Sequence, residues 1–337
     1  MPPLSQSASE TNTLKALSPG KLNLTFDILG DLPDGYHEVE TLMQTVSIQD
    51  ELTFSFNRAK NFSLQIDAIE FAKNKADVPV DQNNLIAKAA QLFHRTVCEK
   101  NDHLDTNYQI SVRLKKSVPV AGGMGGGSGN AAATLVVFNN WFGSIFSKQE
   151  LATMAAKLGA DVPFFIDGGT QIGTHKGDTL TRVENSAKLS FLIVGPKLFG
   201  MSTPEVYRAY DEDKDGHSVR ISADACATAL ASGNLDTIAK SFGNAFEPCV
   251  YARKPELKFI ANRIKSIGGY CTRLTGSGPT LYVLTKNDAE SESIQKSLRD
   301  EQVSGANGWS EWTDLKISCW IASSTNCGVT LAGNPKS

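Results

Sequence analysis

"PVAGGMGGGSGNAAA", residues 119–133, decides how this chain reads: six of its fifteen residues are glycine, and it passes at once into helix-forming alanines. Glycine loses more conformational freedom on folding than any other residue, so such a run marks backbone that must turn tightly or approach something closely. Before it, "YQISVRLKKSVPV" alternates Tyr108, Ile110, Val112 and Leu114 as a strand, and "NAAATLVVFNNWF" leaves it as a helix beginning near Asn130. Backbone N–H groups freed by glycine at the positive end of a helix make an anion site. Tight helix packing accounts for one or two glycines but not for this many, so the loop is expected to bind polyphosphate.

Two common phosphate loops do not fit. A Walker A loop needs a lysine after its last glycine, whereas Gly127 is followed by Ser128-Gly129. A dinucleotide fingerprint needs a third glycine where Ser128 stands, and no clear strand-helix-strand unit with an acidic ribose ligand follows.

Outward from the loop, Leu22, Leu24, Phe26 and Ile28 alternate with Lys21, Asn23, Thr25 and Asp27, the pattern of a strand with one buried face; Lys21 and Asn23 then point the same way. Pro33 and Asp34-Gly35 mark a turn, with Tyr36 and His37 just past it, and Leu52, Phe54 and Phe56 alternate again. Residues 83–97 read as a helix capped by Asn83 or Asn84. Ser147 and Glu150 form a capping box ahead of Leu151, Met154, Ala155 and Leu158; Gly159 stops that helix, and Asp161 lies just beyond. After "GGTQIGTHKGDTLTRV", "KLSFLIVGP" reads as a buried strand, with helices at 222–231, 234–243 and about 255–267 before "TRLTGSGPTLYVL". The length of 337 residues is that of about two domains. We divide them as 1–185 and 186–337.

Composition excludes several functions. With 33 Lys+Arg, 36 Asp+Glu and no long basic run, nucleic acid is not an expected partner. Apolar runs such as Leu192-Ile193-Val194 fall far short of the ~20 residues of a membrane span. The six cysteines (Cys98, Cys226, Cys249, Cys271, Cys319, Cys327) show no C-x-x-C pair and read as buried thiols in a reducing compartment. The five histidines make no H-E-x-x-H zinc motif. "MPPLSQSASETNTLKALSPGK" has no secretory signal and reads as a disordered extension, or the remnant of a targeting segment. No functional reading attaches to the tail after about residue 300.

The glycine loop resembles the central phosphate loop of the GHMP kinases. Three further segments, in the family's order across residues 18 to 285, narrow the resemblance to the branch acting on 4-diphosphocytidyl-2-C-methyl-D-erythritol (CDP-methylerythritol). "PGKLNLTFDILGDLPDGYHEVETLMQTV" is similar to that branch's amino-terminal signature, "LGADVPFF" to its catalytic aspartate segment, and "TRLTGSGPTLYVL" to the third superfamily motif. The combination of K-L-N-L with D-G-Y-H is far more specific than the glycine loop.

The resemblance implies an α/β (α+β) protein of two domains, a ribosomal protein S5 domain 2-like amino-terminal domain and a ferredoxin-like carboxy-terminal domain, with the active site in the cleft between them. It implies transfer of the γ-phosphoryl group of ATP, with Mg2+, to the 2-hydroxyl of CDP-methylerythritol in the non-mevalonate isoprenoid pathway. Asp161 would be the base and Lys21 the cation, with Asn23 orienting Lys21 or the acceptor. Taken by itself, Asp161 reads equally well as a helix N-cap, and Lys21 reads as a solvated strand charge before it reads as a catalytic one. Pro119, Gly122, Gly123, Gly125, Gly126, Gly127, Ser128 and Asn130 would hold ATP, with Ser128 the metal-facing hydroxyl. Tyr36 and Tyr207 would sandwich the cytosine, His37 would read its edge, Thr203 would touch the substrate, and Gly276 and Gly278 would form a flexible turn at the cleft mouth. Two positions depart from the family: Gly129 replaces a frequent second serine, which removes a hydroxyl near the phosphates or magnesium, and Gly20 replaces alanine. A kinase of another small alcohol and a non-catalytic sensor on the same fold remain alternatives; a sensor would have lost Asp161 or Lys21. The expected setting is the bacterial cytoplasm, or a plastid in a photosynthetic eukaryote, as a monomer or homodimer.

Overall fold

The computed structural model describes residues 12–72, 77–101, 103–184, 187–196, 201–213, 220–312 and 314–332. Two long strands, β1 (Thr13–Asp31) and β2 (His37–Arg58), pair antiparallel along nearly their whole length and form the spine of the first sheet. β4 (Tyr108–Lys116) pairs with β2, and β3 (Ser63–Phe71) runs parallel to β4 at one edge. β5 (Thr170–Thr174) joins β2, and β6 (Thr179–Arg182) joins β5. Residues 13–20, expected to be disordered, belong to β1, because Ala16 and its neighbours have sheet partners and a core to enter; residues 1–11 lie outside the described residues.

Helices α1 (Leu85–Lys100), α2 (Gly126–Trp141) and α3 (Lys148–Ala156) cover one face of this sheet, where Phe54, Phe56, Ile110 and Val112 meet Phe93 and Phe138. Asn84 caps α1 by accepting the Ile86 N–H at 2.9 Å, and the Ser147–Glu150 box caps α3, both as the spacing predicts. α2 begins four residues earlier than expected: Gly125, left-handed at φ 68°, is its N-cap, so Gly126, Gly127 and Gly129 lie inside the first turn.

The second sheet is antiparallel in the order β11 (Ile317–Ser323), β7 (Ser190–Pro196), β10 (Leu281–Thr285), β9 (Cys271–Leu274). One face, through Phe191, Ile193, Tyr282 and Leu284, packs on Leu22, Leu24 and Leu42 of the first sheet and on α6 (Ala223–Ser232) and α7 (Leu235–Ser241). The other face carries α5 (Thr203–Asp211), α8 (Glu247–Arg253), α9 (Pro255–Ile267) and α10 (Asp288–Ser304). The chain crosses back twice: β8 (Gly243–Asn244) and β12 (Thr330–Ala332) both pair with β1. The proposed division at 185/186 falls outside the described residues.

Two expectations need correction. The alternation of β1 does not separate core from solvent, because Lys21, Asn23, Thr25 and Asp27 are all buried as well; it separates an apolar face against the second sheet from a polar one. Nor are the cysteines uniformly buried: all six are free, with Cys226 and Cys249 buried but Cys98 and Cys327 exposed.

Candidate active site

Lys21 is 4% exposed, and an ammonium so buried requires partners. Its Nζ donates to Asn23 Oδ1 and lies 3.5 Å from Asp161 Oδ2. Asn23 is fixed in turn, donating from Nδ2 to Thr41 Oγ1 at 2.8 Å, while Thr41 donates to the Thr25 carbonyl at 2.6 Å. The amide of the carboxamide thus has its own acceptor, and its oxygen is left to face the lysine. Asp161, 39% exposed on its side chain, sits in the turn between α3 and α4 (Phe164–Asp167). It is no helix cap: the N-cap of α4 is Pro163, without a side-chain hydrogen bond. One carboxylate oxygen therefore meets the ammonium while the group stays open to the cleft.

The glycine loop is seated against the second sheet. Lys21 N–H donates to the Met124 carbonyl at 2.9 Å, Asn23 N–H donates to Thr275 Oγ1 at 3.2 Å, and a Cβ on Gly123 (φ 75°) would fall 2.2 Å from the Thr275 carbonyl oxygen. The facing turn, with Gly276 (φ 54°) and Gly278 (φ 78°), is pinned from below: Asn244 Nδ2 donates to the carbonyls of Leu274 and Gly276, and Glu247 accepts the Leu274 N–H. The turn is thus buried and hydrogen-bonded where the sequence led us to expect a flexible one. Asn244 and Glu247 had no motif to reveal them.

Two cavities meet along the loop. One, of about 270 Å³, lies between Val78, Asn84, Leu85, Leu114 and Pro119 and the backbone of Gly122, Gly126 and Gly127, with Asn130 at its side. The larger, of about 1080 Å³, runs from Lys21, Asn23 and Asp161 past Gly276 and Gly278 to Thr203, Tyr207, Tyr36 and His37. Gly123, Gly125 and Ser128 line both. The N–H groups of Gly126, Gly127 and Ser128, ahead of the first intrahelical bond from Gly129 N–H to the Gly125 carbonyl, have no carbonyl of α2 to bond, and these residues line the cavities along the loop. Every residue singled out from the sequence for ATP or acceptor lines one of the two. The apolar walls of the smaller cavity, Val78, Leu85 and Leu114, were missed, since Leu85 and Leu114 belong to helix and strand patterns that look like core and Val78 stands outside any such pattern.

Beneath the loop, Lys116 and Asp50 form an ion pair at 5% and 0% exposure, and Asp50 also accepts the N–H groups of Ser117 and Val118 at 2.8 and 2.9 Å. The carboxylate is thus fully bonded and ties the loop's start to β2. Gly129 does not face the phosphate site: its Cβ would lie 2.5 Å from Ser18 Oγ and 3.2 Å from the Pro19 carbonyl oxygen. Glycine there serves the approach of α2 to β1, and the expected loss of a phosphate-facing hydroxyl is set aside. Gly20 packs likewise against Met124 and Val118. Ser128 alone among these offers a hydroxyl to both cavities, which suits a cation arriving with the phosphates; the one acidic and histidine cluster among the described residues, Asp31–His37–Asp211, is at the far end of the cleft.

At that far end, His37 Nε2 bonds Asp211 Oδ1 at 2.8 Å and approaches Asp31 at 3.4 Å, and its ring stacks on Tyr207 at 4.9 Å. Tyr207 packs edge-on to Phe246. Burial, and then the charge of Asp161, push the Tyr207 phenol above its ordinary value, so it stays protonated. Tyr36 is 61% exposed, with Lys176 Nζ 4.0 Å from its ring centroid and paired to Asp34. Thr203 Oγ1 lies 3.0 Å from Ser277 Oγ, joining α5 to the pinned turn.

The chain matches the models of the GHMP kinases N terminal domain (residues 84–169) and the GHMP kinases C terminal domain (residues 226–304). It is 36% identical over 293 residues to a 4-diphosphocytidyl-2-C-methyl-D-erythritol kinase of Pelotomaculum thermopropionicum, covering 86% of this chain and 96% of that one. A kinase of the same name from Gloeothece citriformis is 29% identical over 326 residues, covering 94% and 97%. Among solved structures, a 4-(cytidine 5'-diphospho)-2C-methyl-D-erythritol kinase superposes with a TM-score of 0.69 at 23% identity, covering 92% of this chain and 98% of its own. An L. major mevalonate kinase superposes at 0.66 and 14% identity, covering 93% and 96%. These two likenesses speak to the fold.

Proposed function

The chain belongs to the 4-diphosphocytidyl-2-C-methyl-D-erythritol kinase family of the GHMP kinases, and from that membership we propose how its cleft performs the reaction. The activity is ATP-dependent phosphorylation of the 2-hydroxyl of CDP-methylerythritol, giving the 2-phosphate and ADP, a step of the non-mevalonate isoprenoid pathway. ATP lies with its base in the smaller cavity and its phosphates on the first turn of α2; the acceptor fills the larger. Asp161 takes the hydroxyl proton as the oxygen attacks the γ-phosphorus and the bond to the ADP oxygen breaks. Lys21 orients the Asp161 carboxylate and meets the charge that develops on the transferred group. Phosphoryl transfer asks little more of a protein than such positioning and electrostatic support. Magnesium, carried in with ATP and held by its phosphate oxygens and Ser128, would neutralise the leaving charge. Tyr36, His37 and Tyr207 bind the cytosine, which excludes acceptors lacking a base.

The observation that carries this reading is the 3.5 Å contact between Lys21 and Asp161 in the larger cavity, which shares Gly123, Gly125 and Ser128 of the phosphate loop with the smaller one. The buried Lys116–Asp50 pair is enclosed and structural, whereas Asp161 keeps its carboxylate open to the cleft beside the Lys21 ammonium, which a sensor would have no need to retain. The test is ADP release from the purified protein with Mg-ATP, comparing CDP-methylerythritol, mevalonate and no acceptor. Turnover with CDP-methylerythritol alone is expected; turnover with mevalonate, or ATP binding without turnover on any acceptor, overturns the assignment.

A further inference from the structure

The tail that carried no functional reading is fastened to the elements that hold Lys21 and Asp161. Thr325 N–H donates to the Thr45 carbonyl at 2.9 Å, and the Thr325 carbonyl accepts from Gln44 Nε2 and Thr45 Oγ1 at 2.8 and 2.9 Å, all on β2. Thr330 pairs with Leu17 on β1, four residues before Lys21. Between these anchors the tail presses on α4. Val329 N–H donates to the Phe165 carbonyl at 2.9 Å, and a Cβ on Gly328 would fall 2.2 Å from that same oxygen. Gly328 is not among the residues of positive φ, so glycine is required there for its missing side chain and not for its backbone.

Phe165 is the residue through which this contact reaches the chemistry. It lies four residues past Asp161 in a helix of only four residues, too short to hold its place by its own hydrogen bonds. Its buried ring faces the phosphate loop: a Cβ on Gly125 would lie 2.8 Å from its Cζ, and one on Gly129 would lie 3.4 Å from its Cδ1. Backbone held by the tail and ring held against the loop, Phe165 spans the distance between the carboxylate and the phosphates.

We propose that residues 325–329 are a positioning element for phosphoryl transfer, setting through Phe165 the separation between Asp161 and the phosphate loop. Real Cβ contacts essentially never fall below 3.0 Å, so a methyl group on Gly328 displaces the tail or α4 by on the order of 1 Å, and misplacement on that scale costs roughly a hundredfold in a reaction that depends on near-attack geometry. The role assigned to the tail rests on the reading of Asp161 as the base.

The test uses the full chain, assayed well below each variant's unfolding temperature. Gly328→Ala is expected to lower kcat at least about tenfold while the Kd of ATP and the KM of the acceptor stay within about threefold. Thr325→Val, which removes only the hydroxyl contact to Thr45, keeps the test alive if Gly328→Ala does not fold; it should lower kcat about two- to fivefold with binding unchanged. Phe165→Leu should lower kcat as well, and the Gly328→Ala, Phe165→Leu double variant should lose no more than the worse single, since both act along one path. Folded variants with normal kcat, losses that follow the melting temperature, or additive losses overturn the proposal. Asp161→Asn, measured alongside, separates the two readings: if it keeps its turnover, the assignment of the base fails; if it loses turnover while Gly328→Ala does not, only the role of the tail fails.

Discussion

The two ends of the cleft are built on opposite principles. At the phosphate end, Lys21, Asn23 and the turns around Gly123 and Gly276 are buried, and each is tied by hydrogen bonds in which a backbone group takes part, from β1 to the glycine loop and to Thr275 and from Asn244 to the Gly276 carbonyl. At the far end, the groups that meet solvent, Tyr36, His37, Lys176 and Asp211, are held by side-chain pairs and rings on half-open elements. Donors aimed at developing charge act best when they need no reorganisation at the moment of reaction, which burial and backbone supply. A site that must admit and release a large acceptor is better made of side chains that can turn. Lys176 over Tyr36 and His37 over Tyr207 show such side chains resting on the ring faces that a base would use.

If this contrast is right, changes at the phosphate end should act on turnover and those at the far end on acceptor affinity. The largest effect is expected from Asp161→Asn: a loss of about 10²- to 10⁴-fold in kcat, with the Kd of ATP nearly unchanged in a direct titration. Gly123→Ala forces a side chain both into φ 75° and against the Thr275 carbonyl. It should cost about 1–3 kcal/mol of stability in a denaturant titration and weaken ATP binding at least tenfold; normal ATP affinity would show that the two turns are not rigidly joined. Tyr36→Ala should raise acceptor KM roughly two- to tenfold, the worth of a stacked ring, and leave kcat alone. A fall in kcat instead would mean that this end also orients the reacting hydroxyl. The smallest effect is expected from Tyr207→Phe. Its phenol, raised by burial and by Asp161, does not ionise below pH 10, so the substitution should leave the shape of the pH-rate profile unchanged in that range and move KM less than about twofold.

The same contrast decides what could be read from the residues alone. The glycine loop was legible because its physics is local: freed N–H groups, a strand before and a helix after. Even there the start of α2 was placed late, since glycine is a poor helix former and only the left-handed Gly125 shows where the turn closes. The pairing of Lys21 with Asp161 joins residues 140 positions apart, and nothing in periodicity announces it; it came by resemblance. α10 escaped notice because, apart from Ser291, its buried residues are only Ile294 and Leu298, too thin a stripe to stand out, although Asn287 and Glu290 carry a cap signal. The tail was opaque for a simpler reason: its partners lie far upstream, those on β1 at Lys15–Leu17 and that on α4 at Phe165.

That distance bears on how the molecule is made. The edge of β1 at Lys15–Leu17 stays bare until residues 330–332 arrive to pair with it. A growing chain on the ribosome can collapse its helices onto the first sheet early, but it carries an open strand edge, the part of a sheet most prone to join a stranger, until that far segment has been made. On our proposal the distance between base and phosphate is also set only when these residues arrive, so the nascent chain would acquire catalytic competence long after the segments that carry Lys21, the phosphate loop and Asp161 have been made.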